Sequence, residues 1–236
     1  MTEIIPALMP KSADDLREKA GAVCGLFPLA QIDIMDGVFV PSKSWPYQHD
    51  DGLWKKLLTE VENLPHWEEL EYEIDLMIDE PERHMEEWMH LAAKRYIIHV
   101  ESVRDKEKLL AAPWANRKNR MLGGELVWEL LFAIGTKTSV DALIPYKDVI
   151  DGVQCMGIAK IGYQGEPFDK RVVSQLHAVR KMFKEIPLAV DGGVSKETAQ
   201  ALRAAGATRL VSGSYLLNAE DPLLAAEALV GDDEGG

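Results

Sequence analysis

The sequence is short of cysteine, short of positive charge and free of long apolar runs. Cys24 and Cys155 are the only cysteines among 236 residues. Two isolated thiols build no disulfide framework and fit a reducing, cytoplasmic setting. The apolar stretches, of which residues 4–9 are typical, fall far below the roughly 20 residues of a membrane-spanning helix. No charged-then-apolar leader stands ahead of them, so no signal peptide is expected. Lys and Arg number 26 against 39 Asp and Glu, a formal charge of −13. That balance argues against nucleic acid or an anionic membrane as a partner. It also means that an anionic ligand has to be held by a local site, because the overall field repels it. What the chain does have is apolar content, 47% of its residues, enough for the core of one sizeable domain.

That content is distributed in alternation. Short apolar runs at 4–9, 31–35, 70–78, 95–100, 130–135, 152–156, 188–190 and 209–211 read as strands. Between them lie helical stripes. Ser12 is placed to cap a helix with Asp15 three residues on, ahead of Leu16, Ala20, Val23 and Cys24. Pro81 opens another, with Met85, Trp88, Met89 and Ala92. Val172, Leu176, Val179 and Phe183 form a third stripe. Ser195 caps a fourth, carrying Ala201, Leu202 and Ala205 and stopped by Gly206. Residues 221–229 close the pattern. Eight strands alternating with helices predict parallel pairing and a (β/α)₈ TIM barrel over residues 1–230, with a flexible tail at 231–236. An open doubly wound sheet usually carries a glycine fingerprint after its first strand, and Pro10-Lys-Ser-Ala13 is unlike one. Residues 112–126 show no readable period.

In such a barrel the chemistry sits where strands run into the following loops. Alternation puts Gln31, Asp33 and Met35 on one face of the second strand, and Asp75 with Met77 on one face of the third. Asp191 ends the seventh. Three carboxylates converging there would resist ionising together. A divalent cation would relieve them, and oxygen donors suit Mg²⁺ or Mn²⁺. The alternative is three helix caps or lysine partners. Gly162, Gly165, Gly192, Gly193, Gly213 and Ser214 form a second group. Glycines let backbone N–H groups approach an anion, and phosphate sites recur after strands seven and eight of these barrels; turn chemistry is the plainer reading. Met35, Met77 and Met156 are either core filler or a soft lining around a reacting carbon. His99 ends the fourth strand. Lys11, Lys137 and Lys160 follow strands, and Lys160 stands between Met156 and the Gly162 loop, where a phosphate contact or Schiff base is one use and a solvated loop the commoner one. Trp45, Tyr47 and Trp54 follow the second strand, either covering the site or packing a partner.

These residues resemble the ribulose-phosphate 3-epimerase family. Pro6-Ala-Leu-Met9 looks like its opening Pro-Ser-Ile-Leu. Asp33-Ile-Met-Asp-Gly-Val-Phe-Val-Pro41 is similar to its Asp-Val-Met-Asp-Gly-x-Phe-Val-Pro. Asp75-Leu-Met-Ile-Asp-Glu-Pro81 lines up with His-Leu-Met-Val-x-x-Pro, and His99-Val-Glu101 with His-x-Glu. Gly162-Tyr-Gln-Gly165 followed by Phe168 is similar to the family's glycine loop. Val190-Asp-Gly-Gly-Val194 is identical to its motif, and Ser212-Gly-Ser214 resembles Ala-Gly-Ser.

The resemblance implies a ribulose-phosphate-binding barrel and an isomerase that interconverts ribulose 5-phosphate and xylulose 5-phosphate. In that family a divalent metal is held by two His and two Asp. The two Asp remove and return the C3 proton on opposite faces of the sugar, and methionines crowd the flat intermediate. Carried over, Asp33 and Asp191 would be the acid–base pair, and Gln31, Asp33, Asp75 and Asp191 the metal set. Met35, Met77, Met156, His99 and Lys160 would line the substrate. Homo-oligomers are common in the family. The departures are specific. Gln31 and Asp75 replace both metal histidines, Pro10 replaces a serine, Ala159-Lys160-Ile161-Gly162 replaces Asn-Pro-Gly, and Gly135-Thr136-Lys137 replaces a fifth-strand Asn-Pro. Losing two nitrogen ligands favours Mg²⁺ or Mn²⁺ over Zn²⁺ or Fe²⁺. Two other readings use the same phosphate site: a sugar-phosphate lyase or different isomerase working through Lys160 or Lys137, and a non-catalytic barrel that binds a sugar phosphate.

Overall fold

The structure, a computed structural model, describes residues 2–50 and 52–231. Eight parallel strands close a barrel: β1 (Glu3–Leu8), β2 (Leu29–Met35), β3 (Glu71–Met77), β4 (Arg95–His99), β5 (Glu129–Ile134), β6 (Gly152–Met156), β7 (Leu188–Asp191) and β8 (Arg209–Ser212). Each strand pairs with its neighbours in chain order, and β8 returns to β1. Helices α1 (Ala13–Val23), α2 (Leu53–Leu58), α3 (Pro81–Met89), α4 (Lys106–Ala111), α5 (Arg171–Met182), α6 (Lys196–Ala204), α7 (Ser214–Leu217) and α8 (Pro222–Val230) accompany them. The barrel expected from the alternation is therefore present, with strand ends shifted by one or two residues. The tail expected at 231–236 falls, from residue 232 onward, outside the described residues.

Period-2 alternation divides each strand between two environments. Outward residues such as Ile32, Ile74, Ile98, Phe132, Val153 and Leu210 join the helices in one large buried cluster. Inward residues fill the barrel. At its N-terminal end Arg95 and Arg209 bridge Glu3 and Glu129, and Arg95 also reaches Glu73. Above them lie small apolar groups, Ile5 and Val211 on one side and Ile97 and Leu131 on the other. Register then aligns the C-terminal residues: Asp33 pairs with Asp75, Met35 with Met77, and Met156 with Asp191.

Local chemistry explains the helix starts. The Asp15 N–H donates to Ser12 Oγ at 3.2 Å, capping α1. Ser195 and Thr198 form a reciprocal capping box on α6. After β5 the connection is a 3₁₀ segment, Val140–Tyr146, with Pro145 inside it. Residues 112–126 lack a period because they form two short 3₁₀ turns and a hairpin, Met121–Leu122 with Glu125–Leu126. Gly123 and Gly124 supply the two positive φ angles, 63° and 94°, that a two-residue hairpin turn needs. Trp45 is fully buried, its ring edge-on to Trp54 at 6.0 Å, and Trp54 lies 4.4 Å from Trp88 of α3. These rings pack against one another within the chain. Among the described residues no helix is long and apolar enough to cross a membrane.

Candidate active site

The three aspartates named from the sequence meet at the C-terminal end of the barrel. Asp33, Asp75 and Asp191 are all buried, and each offers an oxygen within 4.8 Å of the others. Two amides sit among them. Gln31 Nε2 donates to Asp33 Oδ1 at 2.9 Å and to Asp191 Oδ2 at 3.0 Å. Gln154 Nε2 donates to Asp75 Oδ2 at 3.0 Å and lies 3.4 Å from Asp191 Oδ2. His99 Nε2 stands 3.0 Å from Asp75 Oδ1. Among the described residues Gln31 Oε1, Gln154 Oε1 and His99 Nδ1 have no hydrogen-bond partner, although all three are buried.

Burial and crowding set the charges. Desolvation, reinforced by the Asp191 and Asp75 carboxylates, holds Asp33 well above the usual carboxylate range. Asp191 is pushed up to about 7, by desolvation first and the Asp75 charge next, with Gln31 and His99 pulling the other way. Burial opposes a charge on His99, but the adjacent Asp75 outweighs it and raises the imidazole above its ordinary value. Both Asp33 and Asp191 therefore hold a proton more readily than a free carboxylate.

Only part of this cluster reaches solvent. A cleft is lined by Asp33 and Asp191, by Met77 and Met156, and by the loops at Gly162, Gly165, Gly192–Gly193 and Gly213–Ser214. Gly192 and Gly193 are consecutive positive-φ residues at 88° and 65°, which lets the chain turn sharply off β7. At Gly213 a Cβ would stand 2.9 Å from the Gln164 amide nitrogen, so a side chain there would crowd the cleft. No lysine, arginine or histidine lines it among the described residues. A bound phosphate would thus rely on backbone N–H groups and hydroxyls such as Ser214.

Some expected lining residues stand elsewhere. Lys160 is exposed and outside the cleft lining, because its loop carries the side chain toward solvent; Lys137 is exposed too. His99 lies behind Asp75 with its ring 5.4 Å from Phe39, so it contacts the carboxylate and not the cleft. Met35 is buried beneath the mouth with Met77 and Val40. Two motif residues turn out to brace the site. Asp36 accepts the Val38 and Phe39 N–H groups through Oδ1 and the Asp79 N–H at 2.8 Å through Oδ2, tying the loops after β2 and β3 together. Glu101 accepts the Gly135 N–H at 2.7 Å and the Thr138 hydroxyl, joining the loops after β4 and β5. Gln154 escaped the sequence reading. Its signal was a polar residue two positions before Met156, on the same inward face of a strand.

The donor set suits a cation. Three carboxylates supply hard oxygen ligands, and two buried amide oxygens without partners lie beside them. Among the described residues no cysteine or histidine belongs to the group, and the neighbouring His99 is already engaged by Asp75.

Comparisons with known proteins point to one family. Residues 3–217 match the ribulose-phosphate 3 epimerase family. The ribulose-phosphate 3-epimerase of Bacillus subtilis is 29% identical over 86% of this chain and 84% of its own. That of Schizosaccharomyces pombe is 24% identical over 93% of this chain and 89% of its own. Among solved structures, 3-keto-L-gulonate-6-phosphate decarboxylase from Vibrio cholerae superposes with a TM-score of 0.68 at 13% identity, covering 98% of this chain and 96% of that one; at that identity the likeness speaks for the barrel alone. With its motifs spread along nearly the whole chain and its carboxylates gathered at one barrel mouth, the chain belongs to the ribulose-phosphate 3 epimerase family.

Proposed function

We propose that the protein epimerises a phosphorylated ketose at C3, interconverting ribulose 5-phosphate and xylulose 5-phosphate, with Asp33 and Asp191 as the acid–base pair. The observation that carries this reading is the pairing itself. Two buried carboxylates with raised pKa values, and no others from the acidic cluster, open onto one cleft. An ionised member takes the proton beside the ketone, and a protonated member on the other side delivers one to the opposite face. Met77 and Met156 line the same cleft and offer apolar surface to the flat intermediate without competing for protons. The glycine loops after β6, β7 and β8 hold the phosphate at the far side, which fixes the sugar's reach toward Asp33 and Asp191.

Asp33, Asp75 and Asp191, with Gln31, would hold a divalent cation, for which we propose Mg²⁺ or Mn²⁺. When bound it supplies positive charge that offsets the crowding of the three carboxylates and steadies charge building on the substrate's oxygens. The acidic cleft and the chain's charge of −13 make that compensation more valuable for a phosphorylated ligand. The test is conversion of ribulose 5-phosphate to xylulose 5-phosphate by chelator-stripped protein resupplied with Mg²⁺, Mn²⁺, Zn²⁺ or Fe²⁺. Turnover with the first two supports the reading; absence of turnover with all four rejects it.

A further inference from the structure

We infer that Gln154 belongs to the cation site as an oxygen ligand, and that Gln31 and Gln154 form a matched amide pair that changes sides when a cation enters. This rests on the reading that the aspartate cluster holds a cation.

The two amides occupy equivalent places. Each is fully buried. Each presents Nε2 to two carboxylates, Gln31 to Asp33 and Asp191, Gln154 to Asp75 and Asp191. Each leaves Oε1 without a partner among the described residues. A buried amide oxygen with no donor is costly, on the order of 1–3 kcal/mol, and two in one cluster ask for an explanation. Amide N–H groups satisfy the carboxylates while no cation stands between them. Rotation of the terminal amide by 180° would exchange Oε1 for Nε2 at the same position. Against bare carboxylates that orientation is repulsive. Against a cation it adds a neutral oxygen ligand and frees the N–H groups to turn away.

The spacing supports the exchange. The amide tips lie 2.9–3.4 Å from the carboxylate oxygens. Adjacent oxygens around an octahedral cation with bonds of about 2.1 Å lie roughly 3 Å apart. The donor set then becomes Asp33, Asp75, Asp191, Gln31 and Gln154, all oxygen, drawn from β2, β3, β6 and β7. Gln154 is the member contributed by β6, where Met156 two residues on faces the cleft.

Direct Mn²⁺ binding separates the possibilities. Free Mn²⁺ is counted by electron paramagnetic resonance during titration of chelator-stripped wild type, Gln154→Leu and Gln154→Glu, each first checked for a cooperative melt. Gln154→Leu keeps similar bulk and no oxygen; Gln154→Glu keeps an oxygen at the same reach. The expected result is at least tenfold weaker Mn²⁺ binding by Gln154→Leu, with Gln154→Glu binding at least as tightly as wild type. Wild-type binding matched by Gln154→Leu would overturn the role of Gln154 and leave the cation reading intact. No Mn²⁺ binding by wild type would overturn both. Should Gln154→Leu not melt cooperatively, Gln154→Glu decides alone: weaker binding than wild type contradicts an oxygen ligand at this position, and binding at least as tight supports it.

Discussion

The two ends of the barrel each gather three carboxylates, all buried at the C-terminal end and only Glu73 buried at the N-terminal end, and they treat them in opposite ways. At the N-terminal end Glu3, Glu73 and Glu129 face two guanidinium groups, with Arg95–Glu73 at 3.0 Å and Arg209–Glu129 at 3.0 Å. At the C-terminal end Asp33, Asp75 and Asp191 face two neutral amides and one imidazole. One end is compensated by the chain itself. The other leaves its charge to be met by protons or by something bound. A buried charge cluster that is merely structural would be expected to carry its own partners; the end with a single imidazole for three carboxylates is the end that opens to a cleft.

This contrast can be broken most severely at the C-terminal end. Asp33→Asn and Asp191→Asn should each reduce turnover of ribulose 5-phosphate by about 10²–10⁴-fold, the usual worth of a positioned acid or base. Their melting temperatures should stay level or rise at pH 8 in chelator, because each removes one of three crowded charges. Arg95→Met tests the opposite end. It strips Glu73 of its ion-pair partner and should cost about 3 kcal/mol of stability, the lower part of the range for breaking a buried pair, since Glu3 and Glu129 keep Arg209 and some water. Its turnover per folded molecule should stay within twofold.

A pH titration of stability sharpens the same comparison. Asp191 titrates near 3.8 when unfolded and is pushed up to about 7 in the fold. Between those values the folded protein holds a proton that the unfolded chain has released, so stability in chelator should fall as pH rises from about 4 to about 7. Burial also pushes Glu73 up to about 7, against the pull of Arg95 and Arg209, and adds a decline over the same window. Mn²⁺ should cancel the part of the decline that belongs to the aspartates and leave the part that belongs to Glu73, as read from denaturant midpoints with and without the cation. The smallest effect is expected from Lys160→Ala, whose side chain is solvent-exposed: turnover within twofold of wild type.

The barrel was legible in the sequence because its outward residues form uninterrupted apolar clusters and its helices carry caps that name themselves, as Ser12 and Ser195 do. Asp33, Asp75 and Asp191 were legible because strand alternation and motif spacing both place them at one rim. Side-chain direction was not. Lys160 is close in sequence to Met156 and the glycine loop, yet a loop residue's neighbours along the chain do not fix where it points. His99 ends a strand facing inward, but Asp75 stands between it and the cleft. Gln154 was hidden because residues 152–156 read as a buried run, and one amide inside such a run is easily passed over. The ion pairs at the N-terminal end join Glu3, Glu73, Arg95, Glu129 and Arg209 from five strands, a meeting that only closure of the barrel creates.

The most direct test of the two-carboxylate site is exchange at C3 in deuterated water. Ribulose 5-phosphate and xylulose 5-phosphate are each incubated with Mn²⁺ and wild type, Asp33→Asn or Asp191→Asn, and followed by proton resonance. With one carboxylate on each face, wild type should exchange the C3 proton and interconvert the two sugars. Each variant should lose interconversion while retaining exchange with only one of the epimers, a different one for each variant. Exchange of both epimers by either variant, or no exchange by wild type, would contradict the assignment of Asp33 and Asp191 to opposite faces of the same carbon.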